Sequence, residues 1–242
     1  MATESTRFSE IDLLRGLAII GMVIYHFLFD LSFFYNFPIT VDRGFFYYLA
    51  RAVAVIFLLL VGMSLVFSFK NSNNSKTFIS THLKRSFFIL FFALLVSAST
   101  YLIFPNSYIV FGILHLIGIS IILTLPLLFT NSLLPTITTF FLVVICTFFI
   151  KSLHSTNYFL IPFGITPFNY SSFDYFPIFP WLEIVIMGIF IGKLYYPWRI
   201  HQNNIKIPGF FTTLSVRSLF IYLIHQPVIL LALLIIKTIF RM

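Results

Sequence analysis

Apolar residues in this chain come in long unbroken runs that end at short polar gaps, with no two-residue alternation. Such runs, at about 18 residues or more, predict helices that cross a bilayer. Seven spans can be drawn this way: 11–34, 45–69, 83–104, 108–129, 132–151, 177–196 and 213–240. The polar stretch KNSNNSKT separates the second span from the third. A long connection, SLHSTNYFLIPFGITPFNYSSFDYF over 152–176, precedes the sixth. Connections of this length are often functional, and its Phe and Tyr residues suit a headgroup region. It is expected either to fold back over one mouth of the bundle or to serve as an interfacial tether. No internal repeat, glycine-rich nucleotide motif or heptad accompanies the spans. The predicted fold class is all-α: a polytopic membrane protein, one transmembrane domain over 1–242, a bundle of about seven helices.

Composition agrees with that picture. The chain has 242 residues, 60% hydrophobic, 20% aromatic and 9% charged, with mean hydropathy +1.02. No soluble domain of this size has such values. The net charge of +8 does not point to nucleic acid, because the basic residues are concentrated in two places. Lys70, Lys76, Lys84 and Arg85 follow the second span, and Lys193, Arg199 and Lys206 fall in the segment from Lys193 to Pro208 at the end of the sixth, with no acid among either group. The opposite loops pair Arg43 with Asp42 and Lys151 with Asp174. The positive-inside rule therefore puts the N-terminus in the cytoplasm and the C-terminus outside, with Lys237 and Arg241 as mild opposition. Glu4 and Glu10, with no small-residue cleavage site after them, argue against a cleaved signal peptide. Cys146, the one cysteine, reads as a core filler.

Ionisable residues inside the spans carry the candidate chemistry, since charge in lipid is costly and by default functional. The first span holds Asp12, Arg15, His26 and Asp30. Arg15 and His26 are about three turns apart on one face, about 16 Å along the axis. His26 and Asp30 form an i,i+4 pair within hydrogen-bond reach. By depth, His26, Asp30, Arg51, His115, Glu183 and His225 fall at one level near the outer leaflet. Asp12, Arg15, Lys84, Arg85, Lys193 and Arg217 fall at the inner face. The plainer account makes the histidines helix–helix hydrogen-bonders and the inner cations topology signals or lipid-headgroup partners. Gly188 and Gly192 have a common helix-contact spacing. No tight ligand spacing points to a metal, and none is expected.

EIDLLRGLAIIGMVIYHFLFDLSFF, FGILHLIGIS, DYFPIFPWLEIVIMGIFIGKL and LSVRSLFIYLIHQPVIL together resemble bacterial members of the heparan-α-glucosaminide N-acetyltransferase catalytic-domain family. The first segment is also similar to the wider transmembrane sugar-acyltransferase superfamily, where an Arg is followed eleven positions later by an essential His, as Arg15 is by His26. The resemblance implies transfer of an acetyl group from cytoplasmic acetyl-CoA to a sugar amine or hydroxyl on the far side of a bacterial inner membrane. It implies a glycan or sugar acceptor and membrane lipids as partners, and leaves a homo-oligomer open. The residues suit that chemistry. His26 is expected as the base or nucleophile, Asp30 as its orienting carboxylate, and His115 or Arg51 as a donor to the oxyanion. Arg51, Glu183 and His225 are expected to bind the acceptor. Arg15, Asp12, Lys84, Arg85 and Arg217 are expected at the coenzyme's entrance. Two other classes stay open: a proton-coupled or small-anion transporter built on the same groups, and a non-catalytic membrane subunit.

Overall fold

A computed structural model of the chain describes residues 8–41, 43–201 and 205–240. Glu4, Asp42 and Arg241 of the charge reading lie outside them. Among the described residues the regular structure is helical. In chain order the helices are α1 (Ser9–Tyr35), α2 (Phe45–Lys70), α3 (Ser75–Ile103), α4 (Ile113–Leu128), α5 (Leu134–Ile150), α6 (Ile178–Arg199), α7 (Gly209–Val216) and α8 (Ser218–Phe240). A short 3-10 helix, Tyr158–Phe163, lies between α5 and α6.

Five of these, α1, α2, α3, α6 and α8, are long and apolar enough to cross a membrane, as befits an integral membrane protein. The shorter apolar helices α4 and α5 have 16 and 17 residues. At 1.5 Å per residue each is about 25 Å long, slightly less than a hydrocarbon core of about 30 Å.

α4 starts at Ile113 rather than at 108, and two further spans differ from the hydropathy reading for local reasons. α3 starts at Ser75 rather than at 83 because Asn74 caps it, its side chain accepting from the N–H groups of Lys76 and Thr77 at 2.8 and 3.3 Å. That cap draws the polar turns before Leu83 into the helix. The last span is two helices, α7 and α8, separated at Arg217, whose backbone (φ −92, ψ 12) leaves the helical range.

The chain forms two compact units, residues 1–57 with 203–242, and residues 58–202; α2 runs from the first into the second. In the first unit, Ala18 and Met22 of α1 pack on Val53 of α2, with Val23, Leu49, Ile56, Phe57 and Tyr222 around them. α7 and α8 both lie against α1.

In the second unit, α4 is the central helix. It is buried on nearly all sides, including Leu116, Ser120 and Thr124, as expected of a helix that is apolar all round. Ser86 of α3 donates to the Gly118 carbonyl of α4 at 2.6 Å. α5 is the opposite case: only Thr136 and Val143 are buried, while Phe141, Leu142, Phe148 and Phe149 are exposed, as on a lipid-facing helix. The predicted 188–192 glycine contact is present. A Cβ on Gly188 would overlap the Leu59 carbonyl of α2, and one on Gly192 would lie 3.1–3.2 Å from Val66 and Met63. Small residues here let two backbones approach where lipid supplies no hydrophobic drive.

Candidate active site

Both ends of α1 carry polar side chains facing the helices that cover it. Near its start, Arg15 donates to the Ser215 hydroxyl at 3.0 Å, and that hydroxyl donates to Asp12 at 2.6 Å. Asp12 and Ser215 are buried. Two of the predicted coenzyme-entrance residues are thus joined through a serine of α7, an arrangement that docks one helix on the other. Arg217, at the α7–α8 break, is exposed.

Farther along the same face, α8 replaces α7 as the cover. The rings of His26 and His225 meet edge to face, centroids 4.8 Å apart. Asp30 is fully buried and both its oxygens accept from the Gln226 amide, at 2.8 and 3.0 Å. The structure therefore directs the Asp30 carboxylate to Gln226; among the described residues no hydrogen bond joins it to His26.

The protonation of His225 follows from its neighbour. Its Nδ1 lies 2.6 Å from the Tyr222 carbonyl, which can only accept, so Nδ1 carries the proton. In the neutral ring Nε2 is then a bare lone pair. His225 is only 8% exposed, and Nε2 has no hydrogen-bond partner among the described residues. Gln226 Oε1 is likewise buried and without a partner. Two acceptor atoms facing no protein donor, beside a second imidazole, form a receptive polar spot inside an apolar helix pair. Tyr25 completes the rim, its ring 5.6 Å from that of His26.

Arg51 belongs to the same unit but does not join this cluster. Leu49 and Val53 face α1, and at about 100° per residue Arg51 points the other way. It is exposed, with its guanidinium 4.8 Å from the centre of the Tyr47 ring.

The remaining predicted residues lie in the second unit. His115 is engaged at both ring nitrogens: Nδ1 accepts from the Gly112 N–H at 3.2 Å, and Nε2 faces Ser97 Oγ at 3.5 Å. It closes the first turn of α4 as a neutral cap, which explains its burial without chemistry. Glu183 is half-buried on α6 and makes no hydrogen bond among the described residues. Lys84 and Arg85 are exposed on α3, about 14 Å beyond its start, well inside the helix rather than at its mouth.

The 152–176 connection is pinned onto the α3–α4 turn. Ser172 donates to the Tyr108 carbonyl at 3.0 Å, and the N–H of Phe173 and of Phe176 to those of Ser107 and Phe111. Asp174, which hydropathy placed merely as a loop charge, accepts from the Ile113 N–H at 3.0 Å at the head of α4. A Cβ on Gly112 would overlap this carboxylate, so glycine makes room for it. Burial pushes the Asp174 carboxyl up to about 6, against the opposing pull of that N–H.

A family model described as heparan-alpha-glucosaminide N-acetyltransferase, catalytic, matches residues 7–227. The chain belongs to that family. The match runs from the start of α1 through the His225–Gln226 pair, so it spans both halves of the histidine cluster. No curated protein and no solved structure matches this chain. Membership makes the chain a membrane protein of an acetyltransferase family.

Sequence reasoning missed Gln226, Ser215 and the Tyr222 carbonyl. Each is an ordinary residue made important by a contact about 200 positions away or by a backbone oxygen. The one available signal was Pro227, which has no N–H for a helical partner and marks this turn of α8 as irregular.

Proposed function

We propose that this protein moves an acetyl group from cytoplasmic acetyl-CoA to a hydroxyl or amine of a sugar on the outer side of a bacterial inner membrane, with the His26–His225 pair handling the acceptor's proton. The reading takes the N-terminus as cytoplasmic and the seven apolar segments as spans. The observation that carries it is the buried, unpartnered Nε2 of His225, its ring fixed by Tyr222 and packed against His26. A general base needs a lone pair held in place and free to receive a proton. His225 has both properties, and His26 lies close enough to share or receive that proton.

In the direct route, the base takes the proton of the acceptor's O–H or N–H as its oxygen or nitrogen attacks the thioester carbonyl. The carbon–sulfur bond then breaks, and the proton leaves with the thiol. In the covalent route, a His26 ring nitrogen attacks the thioester carbonyl, the carbon–sulfur bond breaks and the thiol leaves with the ring's proton. The acceptor's oxygen or nitrogen then takes the acetyl group as the nitrogen–carbon bond breaks, and the acceptor's proton returns to the imidazole. In both, the Asp30–Gln226 bond keeps α1 and α8 in register, so that the two rings stay in contact. Asp30 is a positioning residue. Arg15 lies about three turns away on the same face, toward the inner end, its guanidinium donating to Ser215, which in turn donates to Asp12.

The test uses the full chain purified in detergent, labelled acetyl-CoA and a panel of amino and neutral sugars. His225→Asn retains a donor for the Tyr222 carbonyl but removes the base. It should fold normally and lose acetyl transfer by about 10²-fold or more. His26→Ala should lose transfer as well. A well-folded His225→Asn protein that transfers acetyl at the parent rate overturns the role given to His225. Flux of solute into proteoliposomes without thiol release would instead favour a transporter.

A further inference from the structure

We infer that the second unit carries a binding site for an anionic phospholipid, its phosphate on Lys70 and Lys193 and one acyl chain in the groove between α5 and α6. Lys70, the last residue of α2, donates to Asn131 Oδ1 at 2.7 Å. Lys193, near the end of α6, donates to the carbonyl of the next residue, Ser132, at 3.2 Å and to Thr136 Oγ1 at 3.0 Å. Both ammonium groups are thus drawn to the same short α4–α5 connection, and their acceptors are all neutral. An ammonium has three N–H donors, so Lys70 retains two and Lys193 one for another ligand. Residues 58–202 contain only two acids, Asp174 and Glu183. Asp174 is held at the head of α4, and Glu183 is ten residues before Lys193, about 15 Å along α6. Two cations gathered with no carboxylate bonded to either among the described residues of this unit call for an anionic ligand.

What distinguishes this spot from other basic ends of helices is the groove beside it. A cavity of about 280 Å³ is lined by Thr136, Ile137, Phe140 and Phe141 of α5 and by Ile186, Met187 and Phe190 of α6. Thr136 belongs to both features: its side chain lines the groove and its hydroxyl holds the Lys193 ammonium. Lys193 is one turn beyond Phe190, so the cations stand at one end of an apolar channel running about 6 Å along α6 from Ile186 to Phe190. A polar end with positive charge and an apolar body match a phosphate with a hydrocarbon tail. A soluble phosphate would leave the groove unused. The exposed apolar residues of α5 around Phe141 place the opening toward lipid. The site is separate from the histidine cluster and does not depend on acyl transfer.

Native mass spectrometry of the full chain, released from detergent with equal amounts of phosphatidylglycerol and phosphatidylcholine, tests the assignment. The parent protein should retain phosphatidylglycerol at least about fivefold over phosphatidylcholine. Lys70→Gln/Lys193→Gln should lose that preference, while Lys76→Gln, an exposed cation in the first turn of α3, should keep it. Thermal midpoints in lipid-free detergent confirm that all three fold. Unchanged preference in the double variant, an equal loss with Lys76→Gln, or equally strong retention of glycerol phosphate would each overturn the lipid site.

Discussion

At the scale of single residues, a histidine in an apolar helix is defined by what its two nitrogens already hold. His115 has both engaged, one by the Gly112 N–H and one by Ser97, whereas His225 gives only Nδ1 to Tyr222. Removing the imidazole should therefore have opposite consequences at the two positions. His115→Ala removes a cap and should cost about 1 kcal/mol of stability, with most acetyl transfer retained. His225→Asn should keep its stability and lose transfer. Parallel melting curves and transfer rates distinguish the two outcomes. The sequence displayed all these histidines as equals, because a hydrogen-bond partner is a property of the fold. Asp30 shows this most directly: its i+4 neighbour His26 was visible on the page, while its actual partner Gln226 lies 196 positions away. Asp174 permits a prediction in pH. Its carboxyl is raised to about 6 in the folded protein from an ordinary 3.8, so the folded state holds the proton more tightly than the unfolded one. The stabilisation this gives is present below pH 4 and is lost as pH rises through about 6. Asp174→Asn keeps an acceptor for the Ile113 N–H without a charge to bury. Between pH 4 and 6.5 the parent's melting midpoint should fall relative to that variant's, by several degrees for a contribution of about 2 kcal/mol.

At the scale of helices, the legible features were those written as local periodicity. Long apolar runs gave the helices in order, and the Gly188 to Gly192 spacing gave the contact made by α6. Two features escaped. The Asn74 cap draws a polar turn into α3, and mean hydropathy does not register a cap. The break at Arg217 interrupts an apolar run with no proline or glycine at the site, so nothing in the pattern announced it. The glycine contact has a sharp consequence. Gly188→Val would drive a side chain into the Leu59 backbone of α2, which cannot rotate away as a side chain might. The helices would have to separate, at a cost of about 1–3 kcal/mol, and the melting midpoint should drop by several degrees. Gly209→Ala, where a Cβ meets nothing within 4 Å, should leave it unchanged. Fluorescence-detected melting of the two variants in one detergent compares them directly.

At the scale of the molecule, charge distribution and hydrogen bonds describe the same two ends of the second unit. One end gathers Lys70, Asn71, Asn131, Ser132, Lys193 and Tyr196, tied by the lysine bonds and by Tyr196 donating to Asn71 at 2.8 Å. The other holds Asp174 on Ile113, Ser172 on Tyr108, and Tyr175 donating to the Ile161 carbonyl at 2.9 Å. Within this unit the helices thus run alternately between a basic end, with no acid among the residues just named, and an aromatic end. Which end faces the cytoplasm is the remaining question, and the positive-inside rule answers with the basic one. That orientation is testable without any ligand. In a Cys146→Ala background, Lys76→Cys places a thiol at the basic end and Ser155→Cys at the aromatic end. A membrane-impermeant maleimide applied to intact cells should label Ser155→Cys and spare Lys76→Cys until the membrane is opened. The reverse pattern would put the aromatic connection in the cytoplasm. A donor arriving from the cytoplasm would then enter at the opposite end from the one proposed, and the direction of transfer would have to be reversed.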